Sequence, residues 1–408
     1  MLNIPSVKNQ LSPLKTFIKK IINGFQPLLL LVLSLIISAA HAQNQPQKFT
    51  KISVEDFGDD SRHWYGIADK GNIINPKTNQ ARYKPTEIEA IADNILLYQR
   101  NNAGWPKNYD MFAILNNAQK DSLINTKNIL NTTFDNGTTY THVACLADVY
   151  TATHLEKYKD AALKGLNFIL SAQYKNGGWP QYFPLENNYS RHITYNDGVF
   201  EGIMHVLKDV ADKQPQYAFI DQKRYENIKA VYEKGISCIL KTQIVDNGKP
   251  TAWCQQHDEV TLQPAWARAF EPPSICNGES AGIVLFLMSI DHPTKAIIEA
   301  VKNAKVWFEA SEIKNIRVKT VSAPEIVTKF RVSKSDRVVV DDPAAPPIWT
   351  RYYELKTDKP LFCNRDSKVV YSLAEVDRER RDGYGWYTYA PQKVLDRYED
   401  WAKKWGGE

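Results

Sequence analysis

The sequence predicts a mainly α-helical fold, an α/α toroid of repeated helical hairpins with long loops and a minor β excursion. Two repeated patterns lead to this prediction. In the first, a helical stretch is followed by a glutamine, turn residues and a tryptophan, and Gln99, Gln173 and Gln243 lie 74 and 70 residues apart. In the second, an Asn/Asp-Gly turn leads into an apolar helix: "FDNGTTYTHVACLADVY", "YNDGVFEGIMHVLKDV" and "ICNGESAGIVLFLMSI". Two alternating helix types at a period of roughly 70 residues indicate stacked hairpins, and paired inner and outer helices favour a closed toroid over an open solenoid.

The N-terminus predicts export. Lys8, Lys15, Lys19 and Lys20 precede the apolar run "PLLLLVLSLIISAA", which ends at an Ala-His-Ala site. This order is typical of a secretory signal peptide, and the run is shorter than the ~20 residues that span a membrane. We therefore expect a signal peptide over residues 1–42, and a secreted or periplasmic protein without a membrane segment after its removal.

Charge and cysteine content limit the partners and the covalent framework. Removing the four lysines of the signal peptide lowers the formal net charge from +5 to +1, so nothing favours nucleic acid binding. Five scattered cysteines do not make a disulfide scaffold, although a Cys254–Cys276 pair stays open. We expect residues 43–75 to form a polar lead-in outside the core and residues 76–408 to form one domain, with a monomer as the default.

The helical pattern runs through most of the chain. Helices are expected at 86–100, 139–155, 159–174, 197–212, 224–243, 278–291, 294–310 and 391–405. Residues 316–342 and 367–373 alternate in a β-like way and indicate a small sheet or irregular excursion. Long loops must connect the helices, and such loops are where binding groups tend to lie.

Two acidic turns are the first candidates for a functional site. Asp135 and Asp197 each stand in an Asn/Asp-Gly turn before an apolar helix. An Asp in this place usually caps the helix, but it can also hold a cation or a substrate. The third turn has Asn277-Gly278 and no acid, which a structural cap would tolerate. The residues alone leave both interpretations open.

Six ordered blocks carry a resemblance to a known family: "FDNGTTYTHV", "NGGWPQYFP", "HITYNDGVF", "PAWARAFEPPS", "PIWTRYYEL" and "CNRDSKVVYSLAEVDRERRDGYGWY". They resemble the characteristic blocks of family 10 pectate lyases and cover roughly residues 75–400. The resemblance implies a lyase with an α/α toroid. Such an enzyme cleaves polygalacturonate by Ca²⁺-assisted anti β-elimination and leaves 4,5-unsaturated oligogalacturonates.

The implied chemistry explains these residue types. Removing the weakly acidic C5 proton of a uronate makes its carboxylate more negative, and a hard cation with oxygen ligands can neutralise that charge. By resemblance, Asp135 and Asp197 hold Ca²⁺ and Arg268 is the catalytic base. Taken alone, Arg268 would more often be a stacked or salt-bridged surface group. Because an arginine pKa lies above ~12, its use as a base predicts an alkaline optimum.

The resemblance further implies that Arg351 and Arg365 bind the substrate, and two residues at the Gly-Trp-Pro turns, Lys107 and Trp179, are added as candidates for the same role. Arginine forks suit sugar carboxylates. For Arg365, an ion pair with Asp366 competes with this role, and for Lys107 a solvated loop position does. The repeat favours packing over sugar stacking for Trp179.

Other readings of the sequence compete with the lyase. An inverting glycoside hydrolase on an α/α barrel would use Asp135 and Asp197 as acid and base, and a non-catalytic uronate-binding protein would use the same cleft. "GDDSRHWYG" contains no triad order, and the histidines lack zinc spacing. "DRERRD" (377–382) is expected to be a solvated, mixed-charge face.

Overall fold

A computed structural model of the chain describes residues 49–66 and 72–406. Its helices are α1 (Gly58–Gly66), α2 (Ile88–Tyr98), α3 (Asn117–Asn125), α4 (Tyr140–Thr153), α5 (Glu156–Ser171), α6 (Val199–Ala211), α7 (Gln222–Thr242), α8 (Asn277–Met288), α9 (Lys295–Ala310), α10 (Arg378–Gly383) and α11 (Ala390–Trp405). Its strands are β1 (Ile193–Thr194), β2 (Val245–Asp246), β3 (Lys249–Pro250), β4 (Gln256–His257), β5 (Ile275–Cys276), β6 (Ile316–Val327), β7 (Val332–Asp341), β8 (Trp349–Thr350), β9 (Tyr352–Tyr353), β10 (Pro360–Cys363), β11 (Val369–Val370) and β12 (Tyr387–Thr388). The predicted signal peptide, 1–42, lies outside the described residues.

The helices pack in two rows. Helices α2, α4, α6 and α8 pack on one another in that order, and α5, α7 and α9 each pack on the helix that precedes them; α11 packs on α8 and α9. Helix α8 buries residues around most of its circumference: Asn277, Ser280, Ala281, Ile283, Val284, Phe286 and Leu287. Helix α7 buries one stripe at steps of three and four: Ile228, Val231, Gly235, Cys238, Ile239 and Thr242. A helix that is buried all round belongs to an inner layer and a striped one to an outer layer, and the mainly α prediction is confirmed.

The repeated glutamines join each hairpin to the next. Each side-chain amide donates to a carbonyl of its own turn and to a carbonyl of an outer helix further along the chain. The contacts are Gln99 to Ala103 and Ala161 (3.0 and 3.1 Å), Gln173 to Gly177 and Val231 (3.1 and 2.9 Å), and Gln243 to Thr251 and Ala300 (both 3.0 Å). Each glutamine therefore ties its turn to the middle of an outer helix, because a helix carbonyl keeps a second lone pair after its own intrahelical bond.

The repeated tryptophans fill the hairpins from inside. The indole Nε1 of each donates to a carbonyl at the end of a helix: Trp105 to Ile95 (2.8 Å), Trp179 to Ile169 (2.9 Å) and Trp253 to Ile239 (2.8 Å). Glycines make room for two of the rings, because a Cβ at Gly165 would lie 2.8 Å from Trp105 and one at Gly235 would lie 3.2 Å from Trp179. The repeat seen in the sequence is thus a packing unit.

The β segments are one long hairpin and several short strands. Strands β6 and β7 form a long antiparallel hairpin, with Ile316 opposite Asp341 and Val327 opposite Val332. Strands β11, β10, β9 and β5 form a small sheet in that order. The predicted β character of residues 316–342 is therefore confirmed, and the segment 367–373 contains one short strand, β11.

The segment before the first predicted helix differs from expectation. Residues of the lead-in enter the core: Ile52, Phe57 and Trp64 are each 2% exposed, and α1 lies within this segment. The indole of Trp64 donates to the Ile74 carbonyl at 3.0 Å. The prediction of a lead-in outside the core is wrong for this part of the chain, because three widely spaced apolar residues suffice to bury a short, mostly polar helix.

Two further features concern the whole described chain. All five cysteines, including Cys254 and Cys276, are buried free thiols, so the disulfide left open by the sequence does not form. Within 49–66 and 72–406, no helix combines the length and the apolar character needed to cross a membrane.

Candidate functional site

The two acidic turns have related but shifted geometry. In the turn before α4, Asn136 takes the left-handed conformation (φ +55°), and in the turn before α6 Asp197 takes it (φ +53°). The N-cap of α4 is Thr139 and that of α6 is Gly198. Neither acid caps its helix, and the capping interpretation is wrong for both. Asp197 corresponds to Asn136 in the turn geometry, so the two carboxylates leave their turns from different positions.

The Asp135 carboxylate is buried and only half satisfied. Its side chain is 4% exposed, its Oδ2 forms an ion pair with Lys107, and its Oδ1 is buried without a hydrogen-bond partner. The Lys107 ammonium also lies 5.5 Å from the Tyr182 ring centroid. Burial by itself would lower the pKa of Lys107, but the charges and hydrogen bonds of Asp135 and Tyr182 together hold that pKa above its usual range. Lys107 is therefore an internal counter-ion and not a solvated loop lysine.

Further acids surround the pair. Asp60 of α1 is 1% exposed and accepts from the Asn108 backbone amide at 2.9 Å; burial, with a contribution from the charge of Asp135, holds its pKa well above its usual range. Burial of the carboxyl and the charge of Asp135 raise the pKa of Asp197 to about 7. Burial and the charge of Glu279 raise the pKa of Glu201 to about 8, and the Glu201 Oε2 has no hydrogen-bond partner. Raised carboxyl pKa values mean that the protein compensates this negative charge incompletely.

This chemistry fits a hard cation. Carboxylate oxygens are the preferred ligands of Ca²⁺, which takes six to eight oxygens in flexible geometry. The unpartnered Asp135 Oδ1 offers one such ligand, and Asp197 interacts with it electrostatically. One group of three potential ligands lies within 4.8 Å in the described residues, namely His192, Asp258 and Glu259. In that group Glu259 already accepts from His192 at 2.9 Å and pairs with Arg191 at 2.6 Å.

Arg268 is held by a neighbouring carboxylate. Its Nε donates to the Glu271 Oε2 at 2.8 Å, its Nη2 donates to the Oε1, and its backbone amide donates to the Oε2 at 3.0 Å. Burial alone would lower the pKa of Arg268, but Glu271 raises it above its usual range. The Glu271 side chain is 2% exposed, whereas that of Arg268 is 45% exposed. The Arg268 guanidinium is therefore partly exposed to solvent, and the buried Glu271 carboxylate holds its orientation.

Arg351 lies between the Asp197 turn and Glu279. Its Nη2 donates to Glu279 at 2.5 Å and to the Asn196 Oδ1 at 2.9 Å. A chain of hydroxyls joins it to Arg268: the Tyr384 hydroxyl donates to Glu271 at 2.7 Å and lies 2.6 Å from the Tyr352 hydroxyl. The Tyr352 hydroxyl donates in turn to Gln255 at 2.8 Å, and Gln255 also accepts from Arg351. Both arginines are thus oriented by one connected network.

Arg365 has a different partner from the one expected. It donates to Glu379 through Nε (2.8 Å) and Nη2 (3.1 Å), and not to Asp366. Its guanidinium lies 3.6 Å from the centroid of the Phe330 ring at the end of the β6–β7 hairpin. The "DRERRD" segment is not a solvated face, because Glu379, Arg380 and Asp382 are 8%, 7% and 6% exposed. They are buried because this segment forms α10 beneath the hairpin.

Trp179 lies in the protein interior, where a substrate cannot reach it. Its side chain is fully buried and packs edge-on against Phe200 at 5.2 Å between ring centroids. A sugar ring cannot stack on it, so its assignment to substrate binding is wrong.

The other residues identified from the sequence do come together. The charges of Asp135, Arg351 and Arg268 all act on Asp197, and those of Arg268 and Lys107 act on Tyr189.

Several residues of the site were not predicted from the sequence. Glu271 lies three residues after Arg268 in the block "ARAFEPPS" and could have been found by that spacing. Glu279, Tyr352 and Tyr384 gave no such signal, because their partners are distant in the chain. Asp60 was hidden in a segment interpreted as a lead-in.

The fold and the site define a class of protein: a helical enzyme with a cluster of arginine–carboxylate and lysine–carboxylate pairs whose charges act on one another. The pectic acid lyase family matches residues 99–395. A point mutant of a family 10 polysaccharide lyase from Cellvibrio cellulosa, solved in complex with trigalacturonic acid, is 30% identical, with a TM-score of 0.64 over 78% of this chain and 92% of that one. A family 10 polysaccharide lyase from the same organism is 27% identical, with a TM-score of 0.64 over 88% and 99%. No curated protein matches the chain.

The chain belongs to the pectic acid lyase family, and it is a pectate lyase. The family predicted from the six blocks is confirmed.

Proposed function

We propose that the protein is a secreted pectate lyase that cleaves α-1,4-polygalacturonate by Ca²⁺-assisted anti β-elimination. The observation that carries this proposal is the proximity of four residues: the turns of Asp135 and Asp197 pack on each other, and the charges of Asp135, Arg268 and Arg351 all act on Asp197. One structural neighbour was solved with trigalacturonic acid, a short form of this substrate. We also propose that the two helix rows close into the α/α toroid.

The acidic turns would hold the cation. Asp135 and Asp197 supply carboxylate oxygens, and the Asp135 Oδ1 is free to accept a ligand bond. When bound there, Ca²⁺ would neutralise a uronate carboxylate and acidify the C5 proton next to it. Lys107 occupies the Asp135 Oδ2 and competes for the same carboxylate, so its ammonium becomes available to a sugar carboxylate when it leaves Asp135.

Arg268 would remove the C5 proton. Its side chain is 45% exposed, while Glu271 fixes its orientation from the buried side. Because Glu271 also stabilises the protonated form, the free-base fraction is small at neutral pH and rises with pH. Arg351 and Arg365 would bind sugar carboxylates by the donors that Glu279 and Glu379 leave unused.

The reaction has a product that identifies it. Elimination creates a double bond that absorbs ultraviolet light, so incubation with polygalacturonate and Ca²⁺ should raise the absorbance, and a chelator should stop the rise. A glycoside hydrolase would release reducing ends without this absorbance, and a uronate-binding protein would release neither. Reducing ends without absorbance would reject the elimination mechanism.

A further inference from the structure

A small cavity lies beside the end of α2, and we refer to it as the Arg100 cavity. Its volume is about 20 Å³, and its walls include Trp64, Asn72, Tyr98, Arg100 and Lys107. A cavity of ~10–15 Å³ is already large enough for a water molecule. The space therefore suits one small, compact group and excludes a sugar ring.

Three buried hydrogen-bond donors belong to residues of this wall and have no partner within the described part of the chain. They are the Asn72 Nδ2, the Tyr98 hydroxyl and the Arg100 Nη2. Tyr98 and Arg100 are each 3% exposed. Burial raises the pKa of Tyr98, so its hydroxyl keeps its proton. A buried donor without a partner is costly, and three at one small cavity indicate that the cavity receives an acceptor.

Arg100 brings a positive charge that no carboxylate balances. Its Nε donates to the Asn131 Oδ1 at 3.0 Å, and its Nη1 donates to the Thr126 carbonyl at 3.2 Å. Both partners are neutral, and among the described residues no carboxylate charge acts on Arg100. The nearby Lys127 ammonium donates only to carbonyls at the end of α2, and burial and the charge of Arg100 lower its pKa to about 8. Two cations therefore lie together here without an acid.

The acids whose charges act on the cavity wall do not supply the missing negative charge. Asp110 pairs with Arg82 at 2.7 Å, and Asp135 pairs with Lys107. Burial holds the pKa of Asp60 well above its usual range. A buried cation without a counter-charge destabilises the fold, so an anion from outside the protein would be stabilising at this place.

We propose that the Arg100 cavity binds a small inorganic anion of the halide class, which is chloride in ordinary buffers and media. A water molecule accepts two hydrogen bonds, fewer than the three donors of this wall, whereas a halide accepts from every donor around it and also neutralises Arg100. Because Lys107 lines the same cavity, the bound anion would fix the segment that carries the counter-ion of Asp135. The site is separate from the lyase reaction and does not depend on it.

Crystals of the protein in sodium bromide test this proposal directly, because bromide replaces chloride and is located by its anomalous scattering. We expect an anomalous peak in the Arg100 cavity, in contact with the Arg100 Nη2 and the Tyr98 hydroxyl. Density at this place without anomalous signal would identify a water molecule and overturn the proposal. An empty cavity would overturn it as well.

Thermal unfolding measures the same site in solution. The scans are run in chelator, so that Ca²⁺ does not contribute, and sodium chloride replaces sodium gluconate at constant ionic strength. Gluconate is too large for the cavity. Chloride should raise the melting temperature in a saturable way, by about 2 °C at ten times its dissociation constant.

Tyr98→Phe is the decisive variant, since it removes one donor and keeps the ring that stacks on Tyr109 at 3.6 Å between centroids. Its dissociation constant for chloride should rise about tenfold, as expected for the loss of a hydrogen bond to a charged group. In gluconate it should be no less stable than the wild type, because the hydroxyl has no partner in the described chain. Arg100→Met should abolish the response, but it also removes the contacts to Asn131 and Thr126, so Tyr98→Phe carries the test.

Tyr158→Phe is the matched control. Its hydroxyl donates to the Asp93 Oδ1 at 3.0 Å and to the Glu89 carbonyl at 3.2 Å, so its loss should lower the melting temperature equally in chloride and gluconate. If Tyr98→Phe responded to chloride as strongly as the wild type, the proposal would be overturned.

Discussion

The ion pair between Lys107 and Asp135 yields a quantitative prediction about cation binding. Lys107→Met removes the ammonium and leaves the buried Asp135 carboxylate without a partner on either oxygen. Breaking a buried pair costs about 3–5 kcal/mol. Because the Lys107 side chain is 26% exposed, water compensates in part, and we expect a loss of ~2–3 kcal/mol. With an unfolding entropy of about 0.8 kcal/mol per degree for a chain of this size, the melting temperature should fall by about 2.5–4 °C in chelator.

Added Ca²⁺ should reverse this loss. In the variant, the cation takes the place of the ammonium, whereas in the wild type it must displace Lys107. The Ca²⁺-induced rise in melting temperature should therefore be larger for Lys107→Met than for the wild type, and it should be absent for Asp135→Asn. The measurement is a thermal scan with and without Ca²⁺, so it does not depend on activity.

Lys157→Met is the matched control for this experiment. Lys157 pairs with Asp93 at the surface, where the two side chains are 45% and 50% exposed. Its removal should cost only ~0–1 kcal/mol and leave the response to Ca²⁺ unchanged. If Lys107→Met were equally destabilised with and without Ca²⁺ while Asp135→Asn still responded to the cation, Asp135 would not be a ligand and the reasoning would fail.

Two further predictions concern Asp197 and Trp179. The pKa of Asp197 is raised to about 7 in the folded protein. Its contribution to the free energy of unfolding is therefore complete below about pH 4 and is lost as the pH rises through about 7. In chelator, Asp197→Asn should flatten the decline in melting temperature over this range, and an unchanged slope in thermal scans would contradict the assignment. Trp179→Phe should lower the free energy of unfolding by ~1–3 kcal/mol, because it loses the hydrogen bond to Ile169 and leaves a cavity. The KM for polygalacturonate should stay the same, and a raised KM without loss of stability would return Trp179 to the substrate site.

The sequence predicts the helical framework well because that framework repeats. Helix α7 was expected at 224–243 and spans Gln222–Thr242, since a strong stripe of apolar residues determines its buried face. Short helices such as α1 and α10 were not found. Their periodicity is too brief to detect, and tertiary partners bury them, as the β6–β7 hairpin does with Asp382 through Ser333 and Ser335.

The site was predictable in composition but not in its pairing. The resemblance supplied Asp135, Asp197, Arg268, Arg351 and Arg365, the Gly-Trp-Pro turn supplied Lys107, and these residues do approach one another. The sequence could not show that Arg365 pairs with Glu379 instead of Asp366, because a helix places Glu379 beside it from 14 residues away. It also could not show that Trp179 faces inward, since a tryptophan after a turn suits either a core or a sugar platform.

The most direct test of the account is the steady-state kinetics of Arg268→Ala on polygalacturonate, followed by the absorbance of the unsaturated product. If Arg268 removes the C5 proton, kcat should fall by several powers of ten with little change in KM, because the loss is confined to the chemical step. Arg268→Lys should recover little, since an ammonium on a different stem cannot place its lone pair where the guanidine does. The wild-type rate should also rise with pH. A raised KM with a nearly normal kcat, partial recovery by lysine and no alkaline rise would show instead that Arg268 only binds the substrate.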